Sequence, residues 1–273
     1  MFRKLARVIG LFALLCLGCA NTSCDTFKER ITMKNPDIKK VYVVHITGRI
    51  STEWIRRADS ALRIANGDPV IFHINSPGGG ASESFLTEHG LSLLRKKYMS
   101  PVYVYSDYGI YSGGYLAALP LGKIVIAPAG GVGSIGVISE VDIIVKSDSM
   151  RGIKRILFRS GKMKWVEAGY YELTPEQTKY LQSIVDNVYS MFIDRIIVNR
   201  HDAVFRAVAN RLHKQPSIAQ VDSVLRVVCD GREYAPTQAL ALGLIDGVAY
   251  FDELLEVVKY ENIIPSAMVV DIY

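Results

Sequence analysis

The sequence predicts an α/β domain with a largely parallel sheet. Three observations carry this. Short β-rich runs alternate with helical patterns along most of the chain. The run at 70–74, Val-Ile-Phe-His-Ile, is nearly all apolar, as a strand buried on both faces requires. Glycine-rich turns lead from strand regions into helices.

The elements follow in order. Residues 41–46 are a β-rich run that ends at Gly48, and 51–65 read as a helix. The strand at 70–74 passes through a glycine-rich turn into a helix at about 82–97. A third strand, 102–105, precedes a helix that starts near Tyr111, and 123–127 is a fourth strand. Residues 153–158 read as a further strand. Thr174-Pro175-Glu176-Gln177 is a capping box with proline at the first helical position. Leu181, Ile184, Val185, Val188, Phe192 and Ile196 then recur at helical spacing. Helices at about 217–228 and 236–242 follow, with Gly243 as the cap of the second. The end of the chain, from Met268 to Tyr273, reads as a strand and is expected to pack on a neighbouring subunit.

Composition narrows the function. The chain has 273 residues, 49% apolar and 22% charged, with a formal charge of +5. That is enough for one large α/β domain or two small ones. No basic stripe interleaved with aromatics stands out, so no nucleic-acid partner is expected.

The first residues read as a targeting segment. Arg3, Lys4 and Arg7 precede an apolar run, 8–17, and small residues follow. The run is short against the roughly 20 residues of a spanning helix. Three fates are open for 1–20: cleavage after Ala20, lipidation at Cys19, or retention as an anchor. Each puts the folded part outside the cytoplasm. Residues 21–38 are polar and read as a linker. Cys16, Cys19 and Cys24 cluster near this segment, and only Cys229 lies in the body, where it reads as a buried small hydrophobe. No disulfide framework or metal-ligand spacing is present.

Two turns carry the chemistry: Asn75-Ser76-Pro77-Gly78-Gly79-Gly80 and Tyr111-Ser112-Gly113-Gly114-Tyr115. Either alone fits an ordinary strand-to-helix loop. Side by side, their backbone N–H groups would make an oxyanion hole. Ser112, just before two glycines, is a candidate nucleophile, and a serine needs a base. None of the five histidines lies between Ser112 and His201. Ile110 stands where a Gly-x-Ser-x-Gly elbow would need glycine. Lysine is then the candidate, and burial must lower its pKa from about 10.4 before it can accept a proton. Lys164, between Met163 and Trp165, could be buried that way; a surface lysine is the plain alternative.

An ordered series decides between these readings. Residues 75–79, Ser112-Gly113-Gly114-Tyr115, 133–137, Arg159-Ser160-Gly161 with Lys164, and 238–246 occur in one order. From about Val41 to Val258 the series resembles the signal peptide peptidase A family in its short, single-repeat form. The resemblance implies a ClpP/crotonase-like fold, a spiral of ββα units, with 39–260 as a serine protease domain and 261–273 as a tail. It implies Ser112 as nucleophile, Lys164 as general base, Ser134 orienting the lysine, and the N–H groups of Gly79 and Gly113 as oxyanion donors. It also implies a ring-shaped homo-oligomer and peptide substrates, remnant signal peptides among them. The site would lie on the outer side of a bacterial membrane, reached through the N-terminal segment, and no cofactor is expected. Tyr111, Leu116 and Arg159 depart from the family's frequent residues, which bears on substrate preference. Lys162 is a nearby rival to Lys164. Two other readings of the chain stay open: a crotonase-type acyl-CoA enzyme, and a catalytically silent membrane scaffold of the same fold.

Overall fold

The computed structural model describes residues 39–213 and 215–273. The expected targeting segment and linker, with Cys16, Cys19 and Cys24, lie outside the described residues. Lys39–Tyr273 is one compact unit. Its elements are β1 (Lys40–Thr47), α1 (Glu53–Ala65), β2 (Val70–Asn75), α2 (Ala81–Lys97), β3 (Val102–Ser106), β4 (Ile110–Tyr111), α3 (Gly113–Ala118), β5 (Lys123–Ile126) and β6 (Val132–Gly133). There follow α4 (Val145–Met150), α5 (Pro175–Leu212), α6 (Ile218–Val228), β7 (Glu233–Tyr234), α7 (Pro236–Ala241), β8 (Gly247–Val248), α8 (Phe251–Glu261) and β9 (Met268–Ile272).

Six strands form one sheet in the order β8-β5-β3-β2-β1-β9, every pair parallel. A small second sheet joins β4, β6 and β7. In the large sheet the central strands are buried on both faces: Val70, Ile71, Phe72 and Ile74 of β2 are all solvent-free. One core lies on the face of Val44, Phe72 and Val104, and includes α1, α3 and α5. A second, smaller core lies on the face of Ile71, Tyr103 and Val125, and is closed by Leu254 and Val258 of α8.

The capping box at Thr174 forms as expected and starts a helix of 38 residues. Ser217 and Gln220 make a second one at the head of α6. Gly243 follows α7 with φ +77°, a left-handed conformation that suits glycine. Cys229 is buried, and burial pushes its thiol up to about 12. His45 of β1 and His73 of β2 bond Asp271 and Asp107 at 2.9 and 2.6 Å.

One expectation changes. Residues 153–158 form no strand. The β-favouring residues are there, but no strand among the described residues pairs with them, and Ile156 and Phe158 are exposed. The expected C-terminal strand forms and pairs with β1, from Lys40↔Met268 to Val44↔Ile272. Among the described residues no helix is long and apolar enough to cross a membrane.

Candidate active site

The two glycine-rich turns are brought together by the strands that carry them. The first leaves β2, and the second spans β4 and the head of α3. Ser76 N–H donates to the Gly109 carbonyl at 3.1 Å, and Tyr111 N–H donates back to the Ser76 carbonyl at 2.9 Å. Asn75 steadies the crossing, its Oδ1 accepting from Ser106 Oγ at 2.7 Å and from Tyr108 N–H at 3.0 Å. A third loop joins them: Ser112 N–H donates to the Gly133 carbonyl at 2.8 Å. Ser134 N–H in turn donates to the Arg232 carbonyl at 2.8 Å, tying this loop to β7.

Glycine is required where the turns touch. A Cβ on Gly78 would lie 2.8 Å from Ser112 Cβ and 3.0 Å from Gly113 N. A Cβ on Gly113 would meet Ser84 Oγ at 2.0 Å and stand 3.5 Å from Gly79 N. The N–H groups of Gly79 and Gly113 therefore sit close together. Neither donates to an acceptor among the described residues. Two unpaired donors at one point form a site for developing negative charge.

Ser112 sits at φ +50°, ψ −125°, immediately before α3. A non-glycine residue held there stores about 1–3 kcal/mol of strain, and such residues concentrate at functional sites. Its carbonyl accepts the Leu116 N–H at 3.1 Å, while its side chain makes no capping bond, so the hydroxyl is left for other work. Ser134 is also at positive φ, +51°.

Ser112, Ser134, Gly79 and Gly113 line one cavity of about 500 Å³. Phe85 of α2, Leu116 of α3, and Val188 and Phe192 of α5 form apolar walls, with Val137 and Ile138 beside them. None of the five histidines lines it. Arg49, from the turn after β1, is its one charged lining residue among the described residues. Sequence reasoning missed Arg49, since it belongs to no motif and reaches the cavity only because the 48–50 turn packs on the loop after β2.

Lys164 stands apart. It lies in a turn whose N–H donates to the Gly161 carbonyl at 3.0 Å, with its side chain exposed and outside that cavity. Trp165, expected to help bury it, is itself 51% exposed. Lys162, the rival, is engaged by Glu176 in an ion pair. The structure thus unites four of the five expected site residues and leaves Lys164 on the surface of the single chain.

An α/β domain with a strained serine beside two free backbone donors has the layout of an acyl-transfer site. Comparison with known proteins agrees with the series of motifs. Residues 95–219, which hold Ser112, Ser134 and Lys164, match the model of Peptidase family S49. A putative signal peptide peptidase SppA of Enterococcus faecium is 26% identical over 203 residues, covering 74% of this chain and 53% of that protein. The probable protease SohB of Haemophilus influenzae is 26% identical over 246 residues, 88% of this chain and 64% of that one. These similarities are to proteins named as signal peptide peptidase A and SohB proteases, and this chain spans about half the length of the Enterococcus protein. Among solved structures, a mutant of the 1510-N membrane-bound stomatin-specific protease in complex with a substrate peptide superposes with a TM-score of 0.50. It is 19% identical, over 87% of this chain and 93% of that one. That likeness concerns the fold, and the expected α/β class with a largely parallel sheet is borne out.

Proposed function

We propose that this chain is a serine endopeptidase in which Ser112 is the nucleophile and Lys164 the general base. The observation that carries the reading is Ser112 itself: strained, free of capping bonds, and next to two unpaired N–H groups. Ser112 attacks a peptide carbonyl, and the Gly79 and Gly113 N–H groups hold the oxyanion. The amine takes the serine proton and passes it to the leaving amine; water then releases the acyl group. Ser134, on the same cavity, orients the lysine. The crotonase-type alternative leaves the strain at Ser112 without a purpose.

Lys164 reaches Ser112 from a neighbouring copy. Two observations favour this over a dyad within one chain. Lys164 is exposed and off the cavity wall. The stretch that carries it shows large apolar side chains to solvent, Ile138 at 94% and Phe158 at 90% exposure. Apolar surface of that kind marks an interaction site. Contact with another copy would also remove water from the amine, which is what a lysine base needs. The ring implied by the family resemblance supplies such a neighbour.

Peptides are the substrate class. The apolar walls favour apolar side chains, and remnant signal peptides fit them. The N-terminal segment would hold the assembly at a bacterial membrane with the catalytic domain on the outer side. Fluorophosphonate labelling tests the chemistry: Ser112→Ala and Lys164→Ala should each abolish labelling of the full-length protein. Undiminished labelling of Lys164→Ala would assign the base elsewhere, and no labelling of the unaltered protein would remove the hydrolase reading.

A further inference from the structure

Arg49 is not used by the mechanism above, and what sets it apart from the other arginines is its place on the Ser112 cavity. It is exposed at the rim of that cavity. No other charged residue among the described residues lines that cavity.

Its position is fixed by backbone bonds. Gly48 N–H donates to the Asn75 carbonyl at 2.9 Å, and Ile50 N–H donates to the Gly78 carbonyl at 3.0 Å. Ile50 Cγ2 would be 2.4 Å from a Cβ on Gly79. The turn is thus clamped to the loop that carries the Gly79 N–H, and Arg49 enters the cavity from that side. A guanidinium at the rim of apolar walls offers a planar fork to a carboxylate.

We infer that Arg49 is a specificity residue that binds a substrate carboxylate next to an apolar side chain, so that peptides carrying both are preferred. This rests on the reading of the Ser112 cavity as the peptide site. The carboxylate can belong to an acidic side chain or to a free C-terminus, and Arg49 would serve either in the same way.

The test separates these sources and does not depend on turnover. Full-length Ser112→Ala protein is titrated with four fluorescein-labelled forms of one apolar hexapeptide: neutral and amidated, glutamate-bearing and amidated, lysine-bearing and amidated, and neutral with a free C-terminal carboxylate. Anisotropy should show about tenfold tighter binding of at least one carboxylate form over the neutral amide, as expected of one hydrogen-bonded ion pair. The form that gains identifies the source. Adding Arg49→Gln should erase the difference, Arg49→Lys should keep part of it, and Arg49→Glu should turn the preference toward the lysine peptide. Circular dichroism of each variant checks that it is folded. Equal binding of all four forms, absence of binding by any, or a preference that survives Arg49→Gln in folded protein overturns the inference. Arg49-dependent selectivity in a protein whose Ser112 is never labelled would instead sink the hydrolase reading and leave this one standing.

Discussion

Ser112 shows how one residue can be placed against its own backbone preference. The hydrogen bond from its N–H to Gly133 and the packing of Gly78 against its Cβ hold it at positive φ. Gly113 is as tightly constrained. In Gly113→Ala the new methyl would strike Ser84 Oγ, which is itself bonded to the Gly80 carbonyl at 2.7 Å. The variant should fold, since the strain is local, but a shift of this N–H should cut the rate of fluorophosphonate labelling by about 100-fold. A rate within twofold of the unaltered protein would show that this N–H does not serve the oxyanion. These glycines and Ser112 were legible in the sequence because a close backbone approach leaves a glycine signature. Lys164 was singled out only through the motif series, and the single chain leaves its side chain exposed. Arg49 left no signature at all, because an exposed side chain at the end of a strand looks like any solvated residue.

At the scale of elements, α5 must be held to the sheet, because it supplies Val188 and Phe192 to the cavity. Arg200 does this. Its guanidinium is nearly solvent-free and donates to the Gly243 carbonyl at 2.7 and 2.9 Å and to Asp246 at 2.8 Å. Asp246 also accepts the Ile124 N–H of β5 at 2.8 Å. Asp246→Ala would leave a buried cation without its partner, and should lower stability by about 3 kcal/mol in denaturant unfolding. A loss below about 0.5 kcal/mol would mean that the pair is solvated and the link unimportant. The sequence showed the helix starts, through Thr174 and Ser217, and the central strands, through their unbroken apolar runs. It misled at 153–158, where β-favouring residues have no partner strand. A strand is a property of two segments, and the pattern in one of them reports only half of it.

At the scale of the whole molecule, several large apolar side chains stand exposed along one stretch of the described residues. Ile138, Met150, Ile156, Phe158 and Trp165 are all exposed along the stretch that bears Lys164. If this surface meets another copy, Phe158→Glu should reduce both the mass in solution and the labelling of Ser112, since a charge there would be buried without a partner. An assembly of unchanged mass would place the contact elsewhere. The most direct measurement mixes two inactive proteins. Ser112→Ala keeps the lysine, and Lys164→Ala keeps the serine. A dyad shared between chains predicts that the two, dissociated and reassembled together in equal amounts, recover about a quarter of the unaltered activity toward peptides, because a quarter of the contacts pair an intact lysine with an intact serine. No recovery from mixed assemblies of confirmed composition would contradict a shared dyad.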